Sequence, residues 1–191
     1  MYLKRNNELE VLSLYRGDYS KRVYLREIAR LLKLPLKNVQ RAVNSLEKNK
    51  IMRSTIHGKN KYFSLNVDNI HSKLSVLQTE IYMTHLFLEK YPHCKAFVKG
   101  LIDVPVIVFG SFAKFIAEKD SDIDLLIICG TEEKLPLHVL PYRVHEIRLP
   151  RRTFIKALKK QETVIKEIEE NHIILNNHSF YIDVLWSYYA Q

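Results

Sequence analysis

The sequence predicts a mixed α/β (α+β) chain built from two modules, and three observations predict it. A stretch near the middle, Gly110-Ser-Phe-Ala-Lys-Phe-Ile-Ala-Glu-Lys-Asp-Ser-Asp-Ile-Asp-Leu125, follows one apolar run and opens another. It reads as strand, tight turn, short helix, strand. The first third shows helical periodicity that closes on a hairpin pattern. Charge is also segregated: residues 1–66 hold 15 Lys/Arg against 5 Asp/Glu, a balance of +10, and the remainder holds 15 against 16. The first module is therefore helical with a basic hairpin. The second is a small mixed sheet flanked by helices. The expected division is 1–68, a linking helix over 69–91, and 92–191.

Composition excludes several classes. The chain has 191 residues, 47% of them hydrophobic and 27% charged, which suits packed cores in a soluble protein. Cys94 and Cys129 lie in apolar surroundings without metal-ligand spacing and are expected to be reduced core residues of a cytoplasmic protein. The eight histidines form no zinc pattern. Met1-Tyr-Leu-Lys-Arg-Asn-Asn lacks the apolar core of a signal peptide, and no run approaches the roughly 20 apolar residues of a membrane span. No membrane partner is expected.

In the first module a short helix is expected over residues 8–16, ended by Gly17. A second, over 25–32, puts Leu25, Ile28, Ala29 and Leu32 on one face. Leu34-Pro35-Leu36 makes the turn, since a residue before proline avoids helical geometry. A third helix places Val39, Ala42, Val43 and Leu46 at i, i+3, i+4 and i+7. Strands over 51–56 and 61–67 flank the loop His57-Gly58-Lys59-Asn60. This order resembles the winged helix-turn-helix family of DNA-binding domains. The resemblance implies that Lys37, Asn38, Gln40, Arg41 and Asn44 of the third helix reach bases or phosphates of DNA, while Arg53, Lys59 and Lys61 of the wing grip phosphates.

Residues 70–90 read as one helix with Ile70, Leu74, Leu77, Ile81, His85 and Leu88 along a near-heptad stripe. The stripe either pairs two copies in a homodimer or packs inside the chain. Pro92 interrupts, and a short helix over 94–101 precedes the strand 104–109.

In the central motif, Asp122 and Asp124 stand two apart on a strand and share a face. Paired carboxylates repel unless a cation sits between them, and hard oxygen ligands suit Mg²⁺ with substrate phosphates. Gly110 lets backbone approach a phosphate, and the following helix N-terminus offers N–H groups. The segment resembles the signature of the DNA polymerase beta nucleotidyltransferase superfamily, in particular its minimal members. Their pattern runs Gly-Ser, an aromatic, Ala, a basic residue, Gly, then Ser-Asp-x-Asp. The resemblance assigns Gly110, Ser111 and Lys114 to the nucleotide phosphates of an NTP and Asp122 and Asp124 to metal. Phe115 departs from it, standing where the family has glycine, and is expected to narrow the pocket or mark a member without turnover.

The superfamily's two-ion Mg²⁺ site also uses a third carboxylate. Glu146, in Tyr142-Arg-Val-His-Glu-Ile-Arg-Leu149, is the favoured candidate for this metal-binding and catalytic role, with Asp183 as rival. His145 is expected on the opposite side. Thr153 is expected to cap a helix running to about Glu170, preceded by Arg148, Arg151 and Arg152, which either line the cleft and hold a triphosphate or a nucleic-acid acceptor, or face solvent. Residues 172–189 are apolar and aromatic without a deciding period.

Together these readings imply an Mg²⁺-dependent nucleotidyltransferase that moves a nucleoside monophosphate from an NTP to a hydroxyl, with a nucleic-acid-binding wing. The alternative is a DNA-binding regulator whose second module senses nucleotide or is inactive. A third reading is a toxin–antitoxin partner protein that modifies a protein hydroxyl.

Overall fold

The computed structural model describes residues 5–130 and 133–190. Met1–Lys4 of the N-terminal stretch read for a leader lie outside them. The fold is mixed α/β, with helices and two small sheets. The chain divides into two compact units, one of residues 1–82 with 185–191 and one of residues 83–184.

The first unit runs α1 (Asn7–Ser13), β1 (Val23–Tyr24), α2 (Leu25–Leu32), α3 (Leu36–Lys48), β2 (Met52–His57), β3 (Asn60–Leu65) and the start of α4 (Ile70–Lys90). The Asn6 side chain accepts from the N–H groups of Glu8 and Leu9, which starts α1. α1 ends at Ser13 rather than at Gly17. α2 ends on Lys33 in the left-handed conformation (φ 51°). Pro35 then opens α3, whose Val39, Ala42, Val43 and Leu46 are buried as their spacing requires. β2 and β3 pair antiparallel from Met52↔Leu65 to His57↔Asn60, and the two-residue β1 joins the far edge of β3. Tyr15 donates from its hydroxyl to the Phe63 carbonyl at 3.0 Å, tying α1's exit to the hairpin.

α4 inverts the expected pattern in its first three turns. Ser72, Val76, Thr79 and Glu80 are buried, whereas Ile70 (61%), Leu74 (50%) and Ile81 (42%) are exposed. The stripe therefore does not form an intrachain core at those positions. Burial of Glu80 is matched by Arg16, whose guanidinium meets both carboxylate oxygens at 2.8 and 2.6 Å.

The second unit continues through α5 (Cys94–Lys99), β4 (Val106–Phe109), α6 (Gly110–Ala113), β5 (Ile123–Ile128), β6 (Val144–Leu149), α7 (Arg151–Lys159), α8 (Thr163–Glu170), β7 (Ile173–Asn176) and α9 (His178–Tyr189), the last turn of which returns to the first unit. Its sheet has the order β6-β5-β4-β7, with β6 parallel to β5 and the other pairs antiparallel. One face packs Ile123, Leu125 and Ile127 on Phe97, Phe112 and Leu175. The helix expected from Thr153 to Glu170 is two helices. Pro150 rather than Thr153 precedes the first, and the chain breaks at Gln161 (φ 54°). Residues 172–189 resolve into β7 and α9. No helix among the described residues is long and apolar enough to cross a membrane.

Removing one partner of a buried ion pair leaves the other charge uncompensated. Glu80→Ala should therefore cost about 3–5 kcal/mol in a urea denaturation series. A loss below about 1 kcal/mol would show that Arg16 finds solvent or another acceptor at little cost.

Candidate functional site

The Gly-Ser turn and the aspartate pair meet at one end of the second sheet. Antiparallel pairing of β4 with β5 sets Phe109 opposite Asp124, so Gly110 lies beside the Asp124 side chain. Gly110 has φ +66°, and a Cβ there would stand 2.3 Å from Asp124 Oδ2. Two independent constraints thus require glycine: a left-handed backbone and the carboxylate above it. α6 is a single turn, so the dipole expected at its N-terminus contributes little. What remains for a phosphate is the Gly110 backbone and Ser111, whose half-buried hydroxyl makes no hydrogen bond among the described residues.

The loop that returns to β5 is held by its own polar groups. Glu118 N–H donates to Ser121 Oγ at 2.8 Å, and Ser121 N–H donates to the Glu118 carbonyl at 3.2 Å, so Ser121 shapes the turn that delivers Asp122. Phe115 takes the left-handed conformation (φ 59°) that a glycine there would adopt freely. Its ring stacks on Tyr91 (6.5 Å, 20°), with the Lys90 ammonium 5.9 Å from its centroid and donating to its carbonyl. These contacts hold the ring against Tyr91.

Strand parity corrects the third carboxylate. In the parallel β5–β6 register, Asp124 lies beside His145 and Leu125 beside Glu146. Neighbouring residues in register share a face. His145 therefore faces the aspartates, with Nε2 3.4 Å from Asp122 and Nδ1 3.7 Å from Asp124. Glu146 shares the face of buried Leu125 and pairs with Arg148 at 3.0 Å. Arg148 also donates to the Glu133 carbonyl at 2.7 Å, which fixes it away from a ligand. Asp183, the rival acid, lies on the exposed side of α9. The expected sides of Glu146 and His145 are thus exchanged.

Glu167 of α8, not singled out by the sequence, also acts here. Its carboxylate is 3.9 Å from Lys114 Nζ, and its charge helps raise the Asp124 pKa. Burial is the largest cause of that rise, and Asp122 adds to it, while His145 opposes it. Asp122 and Asp124, each about a third exposed, carry mutual repulsion that a shared hard cation would relieve. The pair fits one such ion. Among the described residues no group of three or more His, Cys, Asp or Glu side chains is assembled around a metal position, so the expected three-carboxylate set for two ions is not brought together.

In the first unit, Lys37, Gln40, Arg41 and Asn44 are exposed on α3, and Asn38 is half-buried. Gln40 and Asn44 share a groove of about 790 Å³ with Tyr24, Arg26, Lys59 and Lys61. Asn38 and Arg41 instead line a cleft of about 450 Å³ with Arg5 and Glu8. The candidate residues thus divide between two clefts that flank one exposed face of α3. Arg53 pairs with Asp68 at 3.2 Å and Lys61 with Glu47 at 2.8 Å, so two of the three wing cations are held by carboxylates.

Gly58 and Gly110 have nearly the same φ, but only Gly110 faces an obstacle. Gly58→Ala should cost about 1–2 kcal/mol from backbone strain alone, and Gly110→Ala distinctly more, by chemical denaturation. Equal losses would mean that Asp124 swings aside freely. The raised Asp124 pKa means that the folded state holds this proton more tightly than the unfolded state. Its contribution is therefore favourable below the ordinary aspartate range and lost as pH rises through the raised value. Asp124→Asn should melt higher than the parent at pH 7 in chelator, with the gap closing on acidification. A lower melting point at pH 7 would contradict this.

The chain's sequence agrees with this geometry. No curated protein matches it. The family model described as Nucleotidyltransferase domain matches residues 93–176, which include the Gly-Ser turn, both aspartates and His145.

Proposed function

We propose that the second unit transfers a nucleoside monophosphate from an NTP to a hydroxyl acceptor, with Asp122 and Asp124 holding Mg²⁺. The observation that carries this reading is the contact of Asp124 with Gly110, which joins the metal-type and phosphate-type halves of the motif at one point. The matched domain family supports nucleotidyl transfer in general. The acceptor oxygen bonds to the α-phosphorus, the α–β anhydride bond breaks, and pyrophosphate leaves with the electron pair. Mg²⁺ bound at the aspartates supplies charge compensation for the phosphates. The Gly110 backbone and the Ser111 hydroxyl orient the triphosphate. Lys114, kept within reach of the site by Glu167, adds positive charge. With Glu146 turned away, the His145 imidazole is the group beside the aspartates suited to accept the acceptor's proton.

The first unit is proposed as a winged helix that binds DNA. The α3 face with Lys37, Gln40, Arg41 and Asn44 supports this, as does the basic groove beside it. Lys59 then contacts phosphate directly. Arg53 and Lys61 do so by exchanging exposed carboxylate partners, which exposed pairs do at small cost. One observation favours the regulator as second reading: the third carboxylate does not face the aspartates.

Thermal stability with each NTP tests whether the second unit binds nucleotide. An NTP at 100 times its Kd with Mg²⁺ should add about 2.7 kcal/mol, and the gain should vanish in Asp122→Ala/Asp124→Ala. If no nucleotide stabilises the chain, the transferase and sensor readings both fall. For the first unit, duplex DNA affinity should drop steeply with salt, and Arg41→Ala/Lys59→Ala should lower the log–log slope by about 2. An unchanged slope would place the interface elsewhere.

A further inference from the structure

A row of cations on α7 has no part in the functions just proposed. From Ile147 to Gln161 the chain contains no acidic residue and six basic ones. α7 buries Phe154, Ala157 and Leu158. The helix side opposite them carries Arg152, Lys156 and Lys159 at i, i+4 and i+7, a row about 10 Å long. All three are exposed and make no ion pair among the described residues. Their neighbours differ. Arg148 is held by Glu146, Lys114 lies by Glu167, and the Arg151 guanidinium lies 4.8 Å from the Phe180 ring centroid. Like charges one turn apart repel, and arginine in a first turn opposes the helix dipole. Lys156 and Lys159 stand in the last turn, where the dipole favours cations, so the cost of the row is the mutual repulsion of its charges, which a partner with closely spaced negative charges relieves. α7 packs on α8, which brings Glu167 to Lys114, so the row and the candidate site share one unit.

We infer that Arg152, Lys156 and Lys159 bind the sugar-phosphate backbone of the acceptor, which makes the acceptor a nucleic-acid strand rather than a protein. The word acceptor rests on the nucleotidyl-transfer reading; the polyanion surface does not. Binding by such a row is through phosphates and independent of sequence. The hydroxyl that enters the transfer step is then one of the strand's own.

The test uses the full chain carrying Arg41→Ala/Lys59→Ala, which lowers the first unit's contribution. Fluorescence anisotropy follows a short random-sequence single strand, as RNA and as DNA, across a salt series. Adding Arg152→Gln/Lys156→Gln/Lys159→Gln should lower the log–log salt slope by about 2, with the melting point little changed. The arm with the tighter binding and larger change names the sugar. An unchanged slope overturns the inference, as does competition by polyglutamate equal to that of an oligonucleotide of the same charge, which would point to an acidic protein. Asp122→Ala/Asp124→Ala keeps the oligonucleotide affinity. If no NTP stabilises the parent chain while the α7 effect is intact, the transferase reading falls and the surface stands.

Discussion

The second unit is organised around the approach of one carboxylate to one backbone. β4 and β5 pair so that Asp124 comes down over Gly110, and a methyl group at that point would overlap the carboxylate. The register of the sheet, the left-handed turn and the aspartate pair are consequently one constraint rather than three. A slip of one residue in β5 would carry Asp124 to the face of Ile123 and Leu125 and bring one of these apolar residues over the turn. The turn is left-handed at both ends, at Gly110 and at Phe115. At Gly110 no side chain fits. At Phe115 the side chain offsets the strain by stacking on Tyr91 under the Lys90 ammonium.

Strand parity also sets what is legible from residues alone. α2 and α4 match their expected limits because the turn at Leu34-Pro35-Leu36 closes the one and Pro92 follows the other. The strand containing Glu146 was also legible, but not which side of it faces Asp124. His145 and Glu146 are adjacent polar residues in an edge strand, and no alternation of apolar residues distinguishes their faces. Only the pairing of Ile123 with Val144 decides it. Glu167 left no signal, since its relation to Asp124 is set by tertiary packing. Residues 172–189 gave no period because β7 is buried throughout its first three residues and α9 is apolar on most sides. The burial of α4 was misleading for a related reason. Its polar side is inside because the Arg16–Glu80 pair satisfies it, which no hydrophobic pattern anticipates.

Charge counted along the chain differs from charge available at the surface. The first third holds the excess of cations, yet Arg16, Arg53 and Lys61 are each matched by a carboxylate. The remainder is nearly neutral in sum, yet its acids and bases are separated, with cations on α7 and carboxylates at the aspartate end and on α8. A neutral total can therefore cover two faces of opposite character. The field near a ligand follows the local arrangement and not the net balance.

The last turn of α9 has a consequence for how the chain reaches this state. Tyr19 is buried against Trp186 and Tyr189, which belong to the first unit although nearly the whole chain separates them from it. The first unit therefore cannot complete its own core from contiguous sequence. Its helices and hairpin can form early from local contacts, but the aromatic closure waits for the chain to be made through the second unit. Synthesis thus passes through an interval in which a basic, partly open first unit precedes the segment that seals it. Late closure of this kind couples completion of one unit to synthesis of the other, without any contact between them being needed.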